Sequence, residues 1–120
     1  FAKRRPEEQA QWSALTDGYF TDNRNADLVK LVIQLIDSRV GPTRDDVMML
    51  DYLRSTQTPF VVVATKADKL NATERRASEA LLREHPSIPT DIPILFTSAE
   101  KGEGRTDLWR LISEYTGVRL

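Results

Sequence analysis

The chain has 120 residues, of which 40% are apolar, and its 17 basic and 18 acidic side chains leave a formal net charge of -1. These values are typical of one ordinary globular domain, and they exclude a global electrostatic field that would draw the protein onto nucleic acid or an anionic membrane. The absence of cysteine excludes disulfides and thiolate chemistry, and no apolar run reaches the roughly 20 residues of a membrane helix, so we expect a cytoplasmic protein without a membrane partner.

The first predicted helix lies near the start of the chain. Pro6 and the two glutamates that follow it suit a first helical turn, because proline is tolerated there and carboxylates favour the positive end of the helix dipole. Trp12, Leu15 and Tyr19 then recur on one face. We expect this face to pack against the rest of the domain.

Three apolar runs predict the strands of a parallel sheet. The runs 31–36 and 60–64 are too short for helices and rich in β-branched residues, as expected for strands buried on both faces. A third run, 94–96, follows Pro93 at a suitable strand start. Because the run 31–36 is so apolar, we expect it to have a neighbouring strand that is missing from this sequence.

Three further helices are predicted between and after the strands. Apolar residues recur at helical spacing in each, most regularly from Leu108 to Tyr115. The residues that start or stop these helices are Thr43, Asn71 with Glu74, and Gly117. The alternation of helix and strand predicts an α/β fold, with helices on both sides of a three-stranded parallel sheet in a three-layer arrangement.

Polar segments follow each strand: 37–39, 65–70 and 97–104. Ligands of open α/β sheets bind beyond the carboxyl ends of the strands, so these segments are the candidate site. The carboxylate of Asp68 could accept the adjacent N1–H and 2-amino groups of guanine, a pair of donors that adenine does not offer. The methylene stem of Lys66 could lie on the purine face, and the small Ala99 would let a backbone N–H approach the guanine O6 while Ser98 braces the loop.

Two of these segments resemble the base-recognition motifs of GTPases. Thr65-Lys66-Ala67-Asp68 is similar to the motif N/T-K-x-D, and Thr97-Ser98-Ala99 is similar to T/S-S-A. Each match alone is weak, but their order, the strand before each and a separation of about thirty residues that contains one helix make the pair specific.

Further residues resemble the EngB family of ribosome-assembly GTPases, over essentially the whole chain. The similar stretch is the one that follows the family's D-x-P-G-Y-G motif, and here it comprises Phe1-Ala2-Lys3, Arg24, Leu28, Asp37-x-Arg39, Asp45-Asp46 and Ala64–Lys69. The resemblance implies a partial Ras-like P-loop GTPase fold, with its last three strands and flanking helices. Residues 1–120 would form one domain, the C-terminal part of an EngB-type G domain.

The resemblance also implies a function and a site. Family members bind GTP and GDP, hydrolyse GTP with magnesium, act in assembly of the large ribosomal subunit and are linked to cell division and septation. The implied partners are guanine nucleotide and the large subunit or its rRNA, and we expect a monomer. The implied guanine-nucleotide-binding residues are those of the two motifs and the lysine after the first: Thr65, Lys66, Asp68, Lys69, Thr97, Ser98 and Ala99.

The chain departs from the family in lacking the phosphate-binding loop, the switch threonine and the D-x-x-G segment. We therefore expect no catalytic residue and no metal site in this chain, and Mg²⁺ only with the missing half. The sequence begins at Phe1, so we expect a part of a longer GTPase that binds nucleotide weakly by itself. The alternative is a non-enzymatic α/β interaction module, either a degenerate GTPase or a flavodoxin-like or receiver-like domain.

Several other residues are interpreted as structural. We expect Asp37 to cap the loop after its strand, and Asp45 and Asp46 to stabilise the start of a helix. Trp109 is interpreted as a packing residue, and the pair Arg75-Arg76 as solvated charge that could contact rRNA phosphates.

Overall fold

A computed structural model describes residues 31–118, so the first predicted helix and the family-like residues before Leu31 lie outside the described part. In chain order the described part contains strand β1 (Val32–Asp37), helix α1 (Arg44–Ser55), strand β2 (Phe60–Thr65), a 3-10 turn (Ala67–Lys69), helix α2 (Ala72–Glu84), strand β3 (Ile94–Phe96) and helix α3 (Arg105–Thr116). The three predicted strands and the three predicted helices after them are confirmed.

The strands form a parallel sheet in the order β1-β2-β3. Asp37 at the end of β1 is in register with Thr65 at the end of β2, and Ala64 is in register with Phe96 at the end of β3. All three strands therefore end at the same edge of the sheet, and the polar segments that follow them emerge side by side.

The core lies around the central strand β2. On one face, alternate residues of β2 pack with side chains of helices α1 and α2 in a cluster that includes Phe60, Val62, Ala64, Leu50, Leu53 and Leu82. Val61 and Val63 point to the opposite face and are buried as well. Strand β2 is thus covered on both faces, as its continuous apolar run predicts.

Helices α1 and α2 each begin with a reciprocal cap. In α1 the Thr43 hydroxyl accepts from the N–H of Asp46 at 3.2 Å, and the Asp46 carboxylate accepts from the N–H of Thr43 at 2.9 Å. Asn71 and Glu74 do the same for α2, at 2.8 and 2.9 Å. These pairs satisfy N–H groups that a helix start leaves free, so the predicted helix starts are confirmed and Asp46 has the structural role expected of it.

Two burial predictions are wrong. Leu35 of β1 is 58% exposed although its apolar run predicts burial; within residues 31–118 β1 pairs with β2 alone, so its other edge has no strand beside it. Trp109 is 50% exposed, because it lies about 100° around α3 from its neighbour Leu108 and so outside the apolar stripe. Among the helices of residues 31–118, none combines the length and apolar character required to cross a bilayer.

Candidate nucleotide-binding site

The two motif segments lie next to each other at the carboxyl end of the sheet. We call residues 65–70 the first loop and residues 97–104 the second loop. The N–H of Thr97 donates to the carbonyl of Ala64 at 2.9 Å, and the N–H of Ala67 donates to the carbonyl of Thr97 at 2.9 Å. These two hydrogen bonds continue the pairing of β2 with β3 beyond the strands, so the sheet itself holds the loops together.

Lys66 has a left-handed backbone conformation, with φ 60° and ψ 33°. Residues other than glycine adopt this conformation rarely, at a cost of about 1–2 kcal/mol. The neighbouring structure fixes it: Ala67 is buried and bonded to the second loop, and the N–H of Lys69 closes the turn on the carbonyl of Lys66 at 3.0 Å. The turn leaves the Lys66 side chain exposed above the edge of the sheet.

The carboxylate of Asp68 is held by the second loop. The hydroxyl of Ser98 donates to Asp68 Oδ1 at 2.7 Å, and the Asp68 side chain is only 11% exposed. The hydrogen bond from Ser98 lowers the pKa of Asp68, and partial burial opposes this. A hydrogen bond from the backbone N–H of Asp68 and the positive charges of Lys69 and Lys101 lower the pKa further. Asp68 is therefore a charged, oriented acceptor at neutral pH.

The second loop is closed around Ser98, which is buried. The N–H of Ser98 donates to the carbonyl of Glu103 at 3.1 Å, and its hydroxyl accepts from the N–H of Lys101 at 3.0 Å. Gly104 ends the loop with φ +80°, where a Cβ atom would come within 2.6 Å of the carbonyl oxygen of Phe96. Only glycine fits this turn without a shift of the backbone.

Thr65 is the first residue of the first motif, and Ala99 is the last residue of the second. The Thr65 hydroxyl donates to the carbonyl of Ile36 at 3.4 Å, and its own carbonyl accepts from the N–H of Ser38 at 3.0 Å, so Thr65 braces the first loop against the end of β1. Ala99 is exposed on the second loop, and within residues 31–118 no acceptor is paired with its N–H. This amide is thus accessible to a ligand.

Lys69 connects the carboxylates of the two loops. Its Nζ lies 3.7 Å from Asp68 Oδ2 and 3.3 Å from Glu100 Oε2. Because Lys69 and Glu100 are exposed, these ion pairs contribute little to stability, but they keep a positive charge beside the Asp68 carboxylate. The structure therefore brings together all seven predicted site residues, while their role in nucleotide binding stays a prediction.

Asp37 is a member of the site whose contact with Lys66 the sequence did not reveal. Its Oδ1 accepts from the N–H of Arg39 at 2.9 Å, which confirms the expected cap, but its Oδ2 also lies 3.5 Å from the Nζ of Lys66. The hydrogen bond from the Arg39 side chain lowers the pKa of Asp37 most strongly, and partial burial opposes this. The hydrogen bond from the Arg39 backbone N–H and the positive charges of Arg39 and Lys66 lower the pKa further. The register of β1 with β2 could have indicated this contact, because Asp37 is the direct partner of Thr65 and Lys66 follows Thr65 in the chain.

Within the described residues there is no group of three or more histidine, aspartate or glutamate side chains that could hold a metal ion. The two adjacent loops instead carry one oriented carboxylate, on Asp68, one unpaired backbone amide, on Ala99, and one exposed lysine side chain, on Lys66. These are the groups that recognise a flat base with adjacent donors and a carbonyl oxygen.

The sequence is similar to curated proteins described as "Probable GTP-binding protein EngB". It is 33% identical to the protein of Bacillus cytotoxicus over 119 residues, 99% of this chain and 59% of the relative, and 33% identical to that of Geobacillus kaustophilus over 109 residues, 91% and 54%. The resemblance to the EngB family is confirmed, and the chain spans a little over half the length of these relatives, which is consistent with the expected correspondence to a C-terminal portion. No family model matches the chain.

Solved structures share the fold. A crystal structure of a probable GTP-binding protein EngB superposes with a TM-score of 0.76 at 22% identity, over 99% of this chain and 73% of that one. The elongation factor SelB of Methanococcus maripaludis, solved with the GTP analogue GppNHp, superposes with a TM-score of 0.62 at 27% identity, over 79% of this chain and 22% of that one. The predicted fold class is confirmed: a parallel three-stranded sheet with flanking helices, as in part of a Ras-like P-loop GTPase.

Proposed function

We propose that this chain is the guanine-recognising part of a GTP-binding protein similar to EngB. The observation that carries the proposal is the hydrogen bond between Ser98 and Asp68, which fixes a charged carboxylate between two loops at the carboxyl end of the sheet. The similarity to proteins described as GTP-binding supports the same role, and so does the likeness to a structure solved with a GTP analogue.

In the proposed complex the base lies between the two loops. The carboxylate of Asp68 accepts hydrogen bonds from the N1–H and 2-amino groups of guanine. The free N–H of Ala99 donates to O6, and the stem of Lys66 covers one face of the ring. The chain supplies recognition in this account, and no step of hydrolysis is carried by residues 31–118.

Discrimination against adenine follows from the same three contacts. Adenine has an acceptor at N1 and an amino group at C6, so it would face Asp68 with a lone pair and Ala99 with a second donor. A site that leaves buried polar groups unpaired in this way rejects the wrong base by several kcal/mol. The fixed orientation of Asp68 is essential to this effect, because a mobile carboxylate could turn away.

We propose that residues 1–120 belong to a single G domain, whose other half binds the phosphates and Mg²⁺ and hydrolyses GTP. On the resemblance to the EngB family, we propose a cytoplasmic protein that acts in assembly of the large ribosomal subunit and in cell division. Nucleotide affinity would depend mainly on the other half, because phosphate-binding amides and Mg²⁺ contact the charged end of the ligand.

The test is calorimetric titration of the full-length protein with GDP and with ADP. We expect that GDP binds, that ADP binds at least about a hundredfold more weakly, and that Asp68→Asn removes most of the GDP affinity. Asp107→Asn makes the same chemical change in an exposed ion pair of helix α3 and is expected to leave binding unchanged. If the folded protein ignores both nucleotides, the proposal is wrong and the interaction-module alternative replaces it.

A further inference from the structure

The side chain of Arg75 contacts the residue directly before the second loop and a residue near the end of that loop. Its guanidinium carbon lies 5.2 Å from the centroid of the ring of Phe96, the residue directly before Thr97. Its Nη2 donates to Oε2 of Glu103, which lies at the other end of the loop. One side chain of helix α2 therefore brackets the segment that carries the second motif.

Glu103 is connected in turn to the candidate base-reading carboxylate. Its carbonyl accepts the N–H of Ser98 at 3.1 Å, and the hydroxyl of Ser98 donates to Asp68 at 2.7 Å. Because Ser98 is buried and uses both groups in these bonds, a displacement of Glu103 would move Ser98 or break one of them. The contacts thus form a continuous series from Arg75 to Asp68.

The exposure of the ion pair argues against a role in global stability. The side chains of Arg75 and Glu103 are each 37% exposed, and ion pairs that remain this accessible to water contribute little to folding. The pair also joins two separate elements, since Arg75 belongs to α2 and Glu103 to the loop before α3. Its effect is therefore expected on the position of the loop.

We propose that Arg75 is a positioning residue for guanine specificity, which acts through Glu103 and Ser98 on Asp68. This inference rests on the proposed function. It corrects the interpretation of Arg75 as solvated charge, whereas its neighbour Arg76 is exposed. Helix α2, which lies between the two motifs in the sequence, would then help to position the base-binding residues as well as link the two strands.

The discrimination between GDP and inosine diphosphate measures this role. Inosine keeps N1–H and O6 but lacks the 2-amino group, so the ratio of the two affinities reports how well the Asp68 carboxylate is held against that group. A residue that only stabilises the fold would change the fraction of folded protein and leave this ratio unchanged. A residue that positions Asp68 would lower the ratio.

The experiment titrates the full-length protein and its variants with GDP, inosine diphosphate and ADP, and records thermal unfolding of each variant. Arg75→Met keeps the length of the side chain and removes its charge, and it is expected to lower the ratio of GDP to inosine diphosphate affinity about three- to tenfold. Glu103→Gln alters the same pair from the other side and should give a similar loss. Arg76→Met, the matched control, should retain the wild-type ratio.

Exchange of the two charges of the Arg75–Glu103 ion pair tests whether the affinity ratio can be restored. Arg75→Glu combined with Glu103→Arg restores the attraction and should recover part of the ratio that each single reversal loses. The inference is overturned if Arg75→Met and Glu103→Gln both keep the wild-type ratio while the wild type still prefers GDP to ADP. If the wild type itself does not distinguish GDP from ADP, the proposed function fails and this inference fails with it.

Discussion

The hydroxyl of Ser98 donates a 2.7 Å hydrogen bond to Asp68 Oδ1 and thereby joins two loops whose residues are 30 positions apart in the sequence. The same hydroxyl accepts the N–H of Lys101 at 3.0 Å. One buried oxygen thus closes its own loop and orients the carboxylate of the other.

Ser98→Ala is expected to weaken both binding and folding. Hydrogen bonds to charged groups contribute about 1.5–3 kcal/mol, so GDP affinity should fall at least about tenfold. Calorimetry with GDP measures the first effect and urea denaturation the second. Ser55→Ala removes a hydroxyl that donates to the carbonyl of Tyr52 at the exposed end of α1, and it should leave GDP affinity unchanged. If Ser98→Ala and Ser55→Ala lower GDP affinity equally, the hydrogen bond from Ser98 to Asp68 has no specific role in nucleotide binding.

The lowered pKa of Asp68 predicts the pH dependence of stability. Because the pKa of this carboxyl is lower in the folded protein than in the unfolded chain, its contribution is present above about pH 4 and is lost as the pH falls through the folded pKa. The difference in unfolding free energy between the wild type and Asp68→Asn should therefore shrink as the pH falls below about 4. Urea denaturation at a series of pH values measures it. A difference that stays constant or grows in acid would contradict the role assigned to the Ser98 hydrogen bond.

Two glycines provide a matched test of the second loop. Gly104 and Gly117 both have positive φ, but a Cβ at Gly104 would meet the carbonyl oxygen of Phe96 at 2.6 Å, whereas a Cβ at Gly117 would meet nothing within 4 Å. Gly104→Ala should thus destabilise the protein by about 1–3 kcal/mol more than Gly117→Ala. Urea denaturation of the two variants measures the difference, and equal costs would mean that the loop relaxes freely at Gly104.

Several features of the site were predictable from residue types alone. The place of Thr65–Asp68 and Thr97–Ala99 at the carboxyl end of the sheet was predictable, because each segment comes at the end of an apolar run that predicts a strand. The contact of Asp37 with Lys66 depends on the register of β1 with β2, and the bracketing of the second loop by Arg75 depends on the rotation of α2 about its axis. Neither quantity can be read from local sequence, because each is set by packing between elements distant in the chain.

The fold also has features that local sequence determines and features that depend on distant packing. The caps at Thr43 and Asn71 are local, and they were predicted because the side chain and the N–H groups it satisfies lie within three residues. The exposure of Leu35 is not local, since it depends on which strands lie beside β1 and what covers its faces. Apolar character predicted the strand and could not predict how deeply it is buried.

Asp37→Asn tests whether the ion pair with Lys66 supports base binding. Loss of the negative charge releases the lysine ammonium, whose Nζ is 3.5 Å from Asp37 Oδ2, and GDP affinity should fall about two- to fivefold. Calorimetry at low and at high salt measures it, and the effect should be smaller at high salt.

Two controls separate this contact from other losses of charge. Arg39→Gln removes the other cation that pairs with Asp37 and should preserve GDP affinity, because the contact with Lys66 remains. Asp51→Asn breaks an exposed ion pair of α1 and should also have no effect. If Arg39→Gln weakens GDP as much as Asp37→Asn does, Asp37 acts through its own loop and not through Lys66.

The most direct test of guanine recognition by Asp68 is a change of specificity in the full-length protein. Xanthine carries a carbonyl at C2 where guanine carries the amino group, so the amide of an asparagine can donate to xanthine where the carboxylate of Asp68 accepts from guanine. Calorimetry should show that the wild type prefers GDP to xanthosine diphosphate, and that Asp68→Asn reverses this preference. If Asp68→Asn weakens both nucleotides equally, or neither, Asp68 does not read the base and the central claim is contradicted.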